Sequence, residues 1–390
     1  MGHSKRMITL IILFIVLLSF SARASILSAV SWDPRNEDIK GLFYAAQTGD
    51  LSTVQKLVEK GINVNAKDEY GTNSLMFAAM NGHMEIVRLL LSKKADINAE
   101  DIDGFTALMQ AVLNNHVDVV KFLIEKGGNI NEKNNSGNTA LLLAVAKNNV
   151  GMADLLITKG ADINFKNSNG NTPLMNAAAN GFGNIVQILI AKGADIGLKN
   201  FNGNTALLLA SSKDDVTIVK SLIDHGAFIN AEDKNGNTPL INAVSKEKSA
   251  IFEILLAEGA DIKTKNNKGE TALMYAVMNG SSFMFETLLS KGGDIDDKDY
   301  EGNTSLMTAI LYGKREIAQK LLNKGIDVNA KNNDGFTALM YASMYCNIEM
   351  VRDLLVSGAD VSVKNNRGFS AYELALLRNN KRIAKELRAY

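Results

Sequence analysis

The sequence predicts an all-α solenoid of helix-turn-helix units with short β-turn or hairpin fingers, and three observations support this class. Glycine recurs with a period of 33 residues along most of the chain, without slippage. The ten glycines are Gly71, Gly104, Gly137, Gly170, Gly203, Gly236, Gly269, Gly302, Gly335 and Gly368. Thr, Asn or Ser stands two places after each glycine, and Ala stands seven places after each. Self-similarity at one fixed period indicates stacked structural repeats.

The composition limits the classes of protein and of partner that the chain can represent. The chain has 390 residues, of which 46% are hydrophobic, with 42 basic and 42 acidic side chains. This apolar share is too large for a disordered chain, and zero net charge removes the electrostatic basis for binding nucleic acid or an anionic membrane. One cysteine, Cys346, allows no internal disulfide. We therefore expect a packed protein with no nucleic-acid partner and no membrane partner, apart from the possible anchor described next.

The N-terminal residues have the composition of an export signal. Lys5 and Arg6 precede an uncharged apolar stretch at residues 7–20, which is followed by Ala22 and Ala24. This is the layout of a secretory signal peptide, and the stretch is shorter than the roughly 20 residues that span a bilayer. We predict a cleavable signal peptide at residues 1–24, a leader at 25–34, and a periplasmic or secreted protein. The alternative is that residues 7–20 anchor the chain to an inner membrane.

Each repeat shows a turn followed by two helices. Asp or Asn stands three places before the glycine, as in Asp68, and glycine accepts the positive φ that such turns need. The Thr two places later can cap a helix, and Pro173 and Pro239 fall just inside that helix start. A second helix follows with apolar residues at i, i+3 and i+4. Further glycines, such as Gly160, are placed to end it.

These residues resemble the ankyrin repeat, a 33-residue unit with a turn, a G-x-T-P-L-H-x-A motif and two helices. The unit at residues 68–100, DEYGTNSLMFAAMNGHMEIVRLLLSKKADINAE, shows the resemblance best. The resemblance covers residues 35–390 and predicts one ankyrin-repeat domain of about eleven repeats, with an N-terminal cap at 35–67 and a C-terminal cap at 365–390. The basic residues of the last repeat are interpreted as a solvated outer face, and the alternative is contact with an acidic partner.

One position departs from the ankyrin motif. The histidine expected five places after the glycine is replaced by an apolar residue in nine repeats. The replacements are Met76, Met109, Leu142, Met175, Leu208, Ile241, Met274, Met307 and Met340. Aligned methionines could hold Cu(I), but Leu and Ile share the position, so we interpret it as core packing.

No group of residues predicts catalysis, a metal site or a cofactor. His83, His116 and His225 lie in different repeats, and the Asp101–Gly104 turn lacks the spacing of a calcium loop. Cys346 stands where sister repeats carry glycine between the helices; we favour a small, semi-buried side chain over a reactive thiol. The sequence therefore predicts a non-enzymatic protein.

The resemblance implies that partners lie along a concave groove lined by the turn tips and the first helices. Aromatic residues and methionines are concentrated at these positions in repeats eight to ten, where such side chains favour binding. The candidate partner-binding residues are Tyr275, Met278, Tyr300, Leu311, Tyr312, Phe336, Tyr341, Met344 and Tyr345. The alternative is that they only pack against neighbouring repeats. A weaker candidate surface contains Phe77, Met80 and Phe105.

The predicted function is an exported scaffold or adaptor that binds one or more partner proteins or peptides on this groove. The alternative is a secreted effector or toxin-like factor that acts on a host or foreign target. Export without disulfides, together with a preference for lysine over arginine, favours a bacterial source.

Overall fold

The computed structural model describes residues 34–345 and 347–390. The predicted signal peptide, the leader up to residue 33, and Cys346 lie outside the described residues. The described chain divides into two compact units, one ending at Asn129 and the other running from Ile130 to Tyr390.

Within the described residues the structure is all α-helical, and helices alternate with short turns. The first unit contains α1 (Pro34–Thr48), α2 (Leu51–Glu59), α3 (Ser74–Met80), α4 (Met84–Ser92), α5 (Ala107–Leu113) and α6 (Val117–Glu125). The second unit contains α7 (Ala140–Ala146), α8 (Val150–Thr158), α9 (Pro173–Asn180), α10 (Gly183–Ala191), α11 (Ala206–Ala210), α12 (Val216–Asp224), α13 (Pro239–Ser245), α14 (Ser249–Ala257), α15 (Ala272–Asn279), α16 (Ser282–Ser290), α17 (Ser305–Leu311), α18 (Arg315–Asn323), α19 (Ala338–Met344), α20 (Ile348–Val356), α21 (Ala371–Leu377) and α22 (Lys381–Leu387).

The turn before each first helix forms a projecting finger. In the first finger, Asp68 Oδ1 accepts the N–H groups of Tyr70 and Thr72, and the Gly71 N–H donates to the Asp68 carbonyl. Gly71 has φ of 75°, which is the left-handed conformation that glycine adopts without strain. Pairing across the fingers is limited to isolated bridges, such as Lys67 with Asn73, so the part of the chain that the structure describes shows no hairpin strands.

The predicted helix starts are confirmed. The residue two places after each periodic glycine is the N-cap, and its side-chain oxygen accepts the N–H three residues later, as Thr304 does from Met307. Pro173 and Pro239 occupy the first helical position, where a missing N–H costs nothing. In the last repeat, Ser370 and Glu373 form a capping box.

The core of each compact unit lies between the first and second helices of its repeats. The alanine seven places after each periodic glycine is at most 1% exposed. The Met, Leu or Ile five places after the same glycine is at most 2% exposed. Burial of all nine apolar residues at this position supports the interpretation of the methionine column as packing.

Side chains also connect successive repeats within each unit. Asn65 Oδ1 accepts the N–H of Asp96, and the Lys67 Nζ donates to the Glu100 carbonyl, 33 residues further on. In the second unit, Lys298 and Lys331 make the same bond to the next finger. Within each unit, these bonds therefore join a finger to the finger that follows it.

Two buried serines break the pattern of the first helices. Ser74 and Ser305 stand three places after the glycine, where every other repeat has Ala or Pro, and neither hydroxyl has a hydrogen-bond partner. A buried hydroxyl without a partner keeps its desolvation cost.

We expect Ser305→Ala to raise the free energy of unfolding by about 1 kcal/mol, because alanine fills the same space without a polar atom. Urea denaturation followed by circular dichroism measures the change. Ser343→Ala is the matched control, since the Ser343 Oγ is equally buried but donates to the Leu339 carbonyl at 2.7 Å. Equal stabilisation by both variants would contradict the explanation.

No helix of the described residues is both long and apolar enough to cross a membrane.

Candidate functional site

The nine predicted partner-binding residues all lie in the second compact unit. Seven lie on or at the ends of the first helices α15, α17 and α19, and Tyr300 and Phe336 lie on the fingers that precede α17 and α19. We call these nine residues the aromatic surface. The structure divides them into anchored and exposed side chains.

Tyr275 is an anchored residue. It is half-buried on α15, and its hydroxyl donates to Glu270 Oε2 at 2.8 Å. The Asn266 side-chain amide donates to the same hydroxyl oxygen at 3.3 Å. Burial raises the pKa of Tyr275, and the bond to the Glu270 carboxylate raises it further. The side chain therefore stays a neutral donor and joins its helix to the finger of its own repeat.

Tyr341 is anchored in the same way two repeats later. The Asn332 side-chain amide donates to the Tyr341 hydroxyl at 2.9 Å, and that hydroxyl lies 3.4 Å from Asn303 Oδ1. The Phe336 ring stacks on the Tyr341 ring with centroids 5.2 Å apart and planes 26° apart. Burial is the main cause of the raised pKa of Tyr341. The structure thus brings Phe336 and Tyr341 together.

The exposed members are Tyr300, Tyr312 and Tyr345, with exposed fractions of 65%, 56% and 57%. Tyr312 and Tyr345 end α17 and α19 at equivalent positions. The Tyr300 ring lies across the preceding finger, since a Cβ on Gly269 would stand 2.7 Å from Tyr300 Cδ1. Large exposed aromatic groups at aligned positions are typical of contact surfaces.

Aliphatic side chains fill the spaces between the tyrosines. Met278, Leu311 and Met344 are half-buried. Thr308, which stands at the same place in its repeat as Tyr275 and Tyr341, is 4% exposed and belongs to the core. Repeat nine therefore contributes Leu311 and Tyr312 to the surface but not Thr308.

Sequence analysis missed one ring and three carboxylates. Phe369 is 36% exposed and stands one place after its glycine, as Phe336 does. This shared position could have identified Phe369 from the sequence. Glu270 accepts the Tyr275 hydroxyl, while Glu301 and Asp334 each raise the pKa of Tyr341 through their charge. The aromatic surface is therefore bordered by negative charge.

Four of the seven junctions between fingers of the second unit carry a rung of an asparagine ladder, and the last rung lies beside Tyr341. Asp233 and Asp299 replace the donor asparagine at two of the other junctions. In each rung, the side-chain amide three places before one glycine donates to the amide oxygen one place after the previous glycine. The rungs are Asn167 to Asn138 at 3.2 Å, Asn200 to Asn171 at 2.7 Å, Asn266 to Asn237 at 3.1 Å and Asn332 to Asn303 at 2.9 Å.

Phe336 ends the ladder. It occupies the acceptor position for Asn365, and Asn365 Nδ2 is buried without a partner. Five sister repeats have asparagine at this position, and an asparagine here could accept from Asn365, which a phenylalanine ring cannot. A phenylalanine that leaves a buried donor unpaired indicates a role other than stability.

The weaker candidate surface lies in the first unit. The Phe77 ring packs against Phe43 with centroids 5.8 Å apart, and the Met80 carbonyl lies 2.9 Å from His116 Nε2. His83 Nε2 makes the same contact with the Gln47 carbonyl at 3.0 Å. These histidines join neighbouring repeats, as a structural role requires.

Within residues 34–345 and 347–390, no three His, Cys, Asp or Glu side chains are grouped so that they could hold a metal ion. The lack of enzymatic activity remains a prediction.

Comparison with protein-family models identifies the repeats. A model described as ankyrin repeats in three copies matches residues 42–134, 127–200, 174–266 and 247–332, and one described as ankyrin repeats in many copies matches residues 321–375. The chain belongs to the ankyrin-repeat family. Ankyrin repeats generally mediate protein–protein interaction, and stacked repeats present extended binding surfaces. A comparison with curated proteins gave no significant match.

Proposed function

We propose that this ankyrin-repeat chain is a non-enzymatic scaffold or adaptor whose partner protein or peptide lies on the aromatic surface of repeats eight to ten. The observation that carries the proposal is Phe336. Its ring interrupts the asparagine ladder, leaves Asn365 Nδ2 unpaired, and stacks on Tyr341 beside the exposed Tyr345.

The exposed tyrosines support the same conclusion. Tyr312 and Tyr345 are more than half exposed and make no hydrogen bond through their hydroxyls to the described residues. Burying such rings against a partner gains apolar area at a small cost in side-chain entropy. Packing within the fold, the alternative explanation, applies to the anchored Tyr275 and Tyr341 but not to these two.

The double variant Tyr312→Ala, Tyr345→Ala should weaken partner capture by at least about 10-fold, because central tyrosines of interfaces are often hot spots. The melting temperature should stay close to that of the native chain, because exposed substitutions usually change stability by less than about 0.5 kcal/mol. Affinity capture from an extract of the source cells and a thermal melt measure the two effects.

The matched control is Tyr44→Ala, which removes a tyrosine that is 64% exposed in the first unit. Unchanged capture by the double variant would contradict the proposal. Loss of the fold would instead support a packing role. Tyr341 is left intact because the loss of its hydrogen bonds would lower the melting temperature as well as partner capture.

We further propose that the chain is exported, on the basis of the signal-like residues 1–24. N-terminal sequencing of the exported protein should begin at Ser25, and a mature chain that begins at Met1 would instead support an anchor. Fractionation separates the two roles: periplasmic protein favours a scaffold, and protein in the medium favours the secreted effector.

A further inference from the structure

Negative charge borders the aromatic surface in repeats nine and ten. Glu301 and Asp334 occupy the fingertip position just before the glycine and are exposed. Both lie near enough to Tyr341 for their charges to raise its pKa. Glu301 Oε2 also accepts the Asn303 side-chain amide at 3.3 Å, and Tyr341 contacts that same asparagine. The two carboxylates therefore lie beside Tyr341 and the Phe336 ring that stacks on it.

The basic side chains of these two fingers are committed elsewhere. Lys298 Nζ donates to the Lys331 carbonyl, and Lys331 Nζ donates to the Lys364 carbonyl. Glu301 and Asp334 form no ion pair with any described residue. Lys298 and Lys331 keep their positive charge, but neither pairs directly with these carboxylates, so Glu301 and Asp334 can each pair with a cationic group of a ligand.

Repeats four, six and seven carry the opposite charge at the position of Tyr312 and Tyr345. Lys147, Lys213 and Lys246 stand ten places after their glycines and are exposed. A positively charged ligand would be repelled there and attracted to repeats nine and ten. Arg378 of repeat eleven is also an exposed cation at this position, so repeats nine and ten lie between cationic positions on both sides. This pattern favours a basic ligand side chain at repeats nine and ten over the rest of the second unit.

We propose that the aromatic surface binds an extended peptide segment that carries lysine or arginine side chains, held between the rings of Tyr312 and Tyr345 and the carboxylates of Glu301 and Asp334. This inference rests on the proposed function and names the class of partner. Cations bind the faces of aromatic rings, and nearby carboxylates strengthen the attraction.

The repeat spacing suggests the spacing of the two cations. Tyr312 and Tyr345 are equivalent residues of α17 and α19, which pack against each other. Packed helices lie about 8–10 Å apart, and an extended chain in the polyproline II conformation advances about 3.1 Å per residue and presents the same face every three residues. Two basic residues three positions apart would therefore reach both tyrosines.

The test uses a fluorescein-labelled peptide of about twelve glycine and serine residues with two lysines three positions apart. Fluorescence anisotropy with the full chain should show saturable binding that weakens as salt is raised. Glu301→Gln with Asp334→Asn should weaken binding about 10-fold, and so should Tyr312→Leu with Tyr345→Leu, which keeps apolar bulk but removes the rings. Thermal melts should show that both double variants remain folded.

Matched controls come from equivalent or similar positions in the first unit. Asp103→Asn removes a carboxylate from the same fingertip position, and Tyr44→Leu removes an exposed ring; neither should change peptide affinity. A lysine peptide that does not bind, or that binds both double variants as tightly as the native chain, would overturn the inference. So would equal binding of a peptide with glutamates in place of lysines.

A peptide with leucines at the two positions separates this inference from the proposed function. If it binds the native chain better than the lysine peptide and loses affinity in Tyr312→Leu with Tyr345→Leu, the surface binds partners but the cationic class is wrong. If neither tyrosine variant changes the capture of the natural partner, the proposed function itself fails.

Discussion

Gly203→Ala should lower the free energy of unfolding by about 3 kcal/mol. Gly203 has φ of 78°, and a Cβ there would stand 2.8 Å from the backbone N of Lys234 on the next finger. The left-handed conformation costs an L-residue about 1–2 kcal/mol, and displacing the next finger costs about as much again. The displacement would also stretch the bond from Lys234 N–H to the Asn202 carbonyl, now 2.9 Å.

Gly368→Ala is the matched control. Gly368 holds the same place in the last repeat with φ of 83°, but a Cβ there meets nothing within 4 Å. We expect a loss of about 1–2 kcal/mol from the backbone strain alone. Urea denaturation of both variants under one set of conditions measures the difference. Equal losses of stability would show that the close approach of the next finger is not a reason for glycine at the periodic position.

Phe336→Asn should separate stability from binding. The new amide oxygen would take the acceptor position for Asn365 Nδ2 and remove a buried, unpaired donor, which is worth about 1–3 kcal/mol. The lost stack on Tyr341 is worth about 0.5–1.5 kcal/mol. We therefore expect the free energy of unfolding to stay equal or rise by about 1 kcal/mol, while partner capture falls by at least about 10-fold.

The reverse substitution provides the control. Asn303→Phe removes the acceptor of the rung from Asn332 and should cost about 2 kcal/mol. Urea denaturation and partner capture are measured for both variants. A loss of more than about 3 kcal/mol in Phe336→Asn would mean that the ring is part of the core, and the argument for a binding role would then fail.

The repeat period predicted nearly all of the local structure, because each signal acts within a few residues. Thr304 caps the helix that begins at the next residue, and Pro173 begins a helix where its missing N–H has no cost. The glycine of each finger was predicted from its turn alone. Its second role, close approach to the next finger, depends on stacking and was not visible in one repeat.

The candidate site was predicted by position but not by role. Tyr275 and Tyr312 have the same side chain, yet one is bonded to Glu270 and the other is 56% exposed. The difference arises because the sixth and tenth places after the glycine face different neighbours once the repeats stack. The asparagine ladder was hidden for a related reason: Asn at both of its positions is also a good turn former, and only the structure pairs them.

The bonds between fingers determine which changes in repeat number the fold can accept. Each rung joins residues 29 apart and each lysine bond joins residues 33 apart, so both connect only adjacent copies of the unit. Where asparagine or lysine stands at these positions in both copies, duplication or deletion of one whole 33-residue repeat would re-form the same bonds at the new junction. Copy number can therefore vary by recombination at little structural cost. A copy that carries Phe336 is the exception, because every duplication of it would leave one more buried amide unpaired.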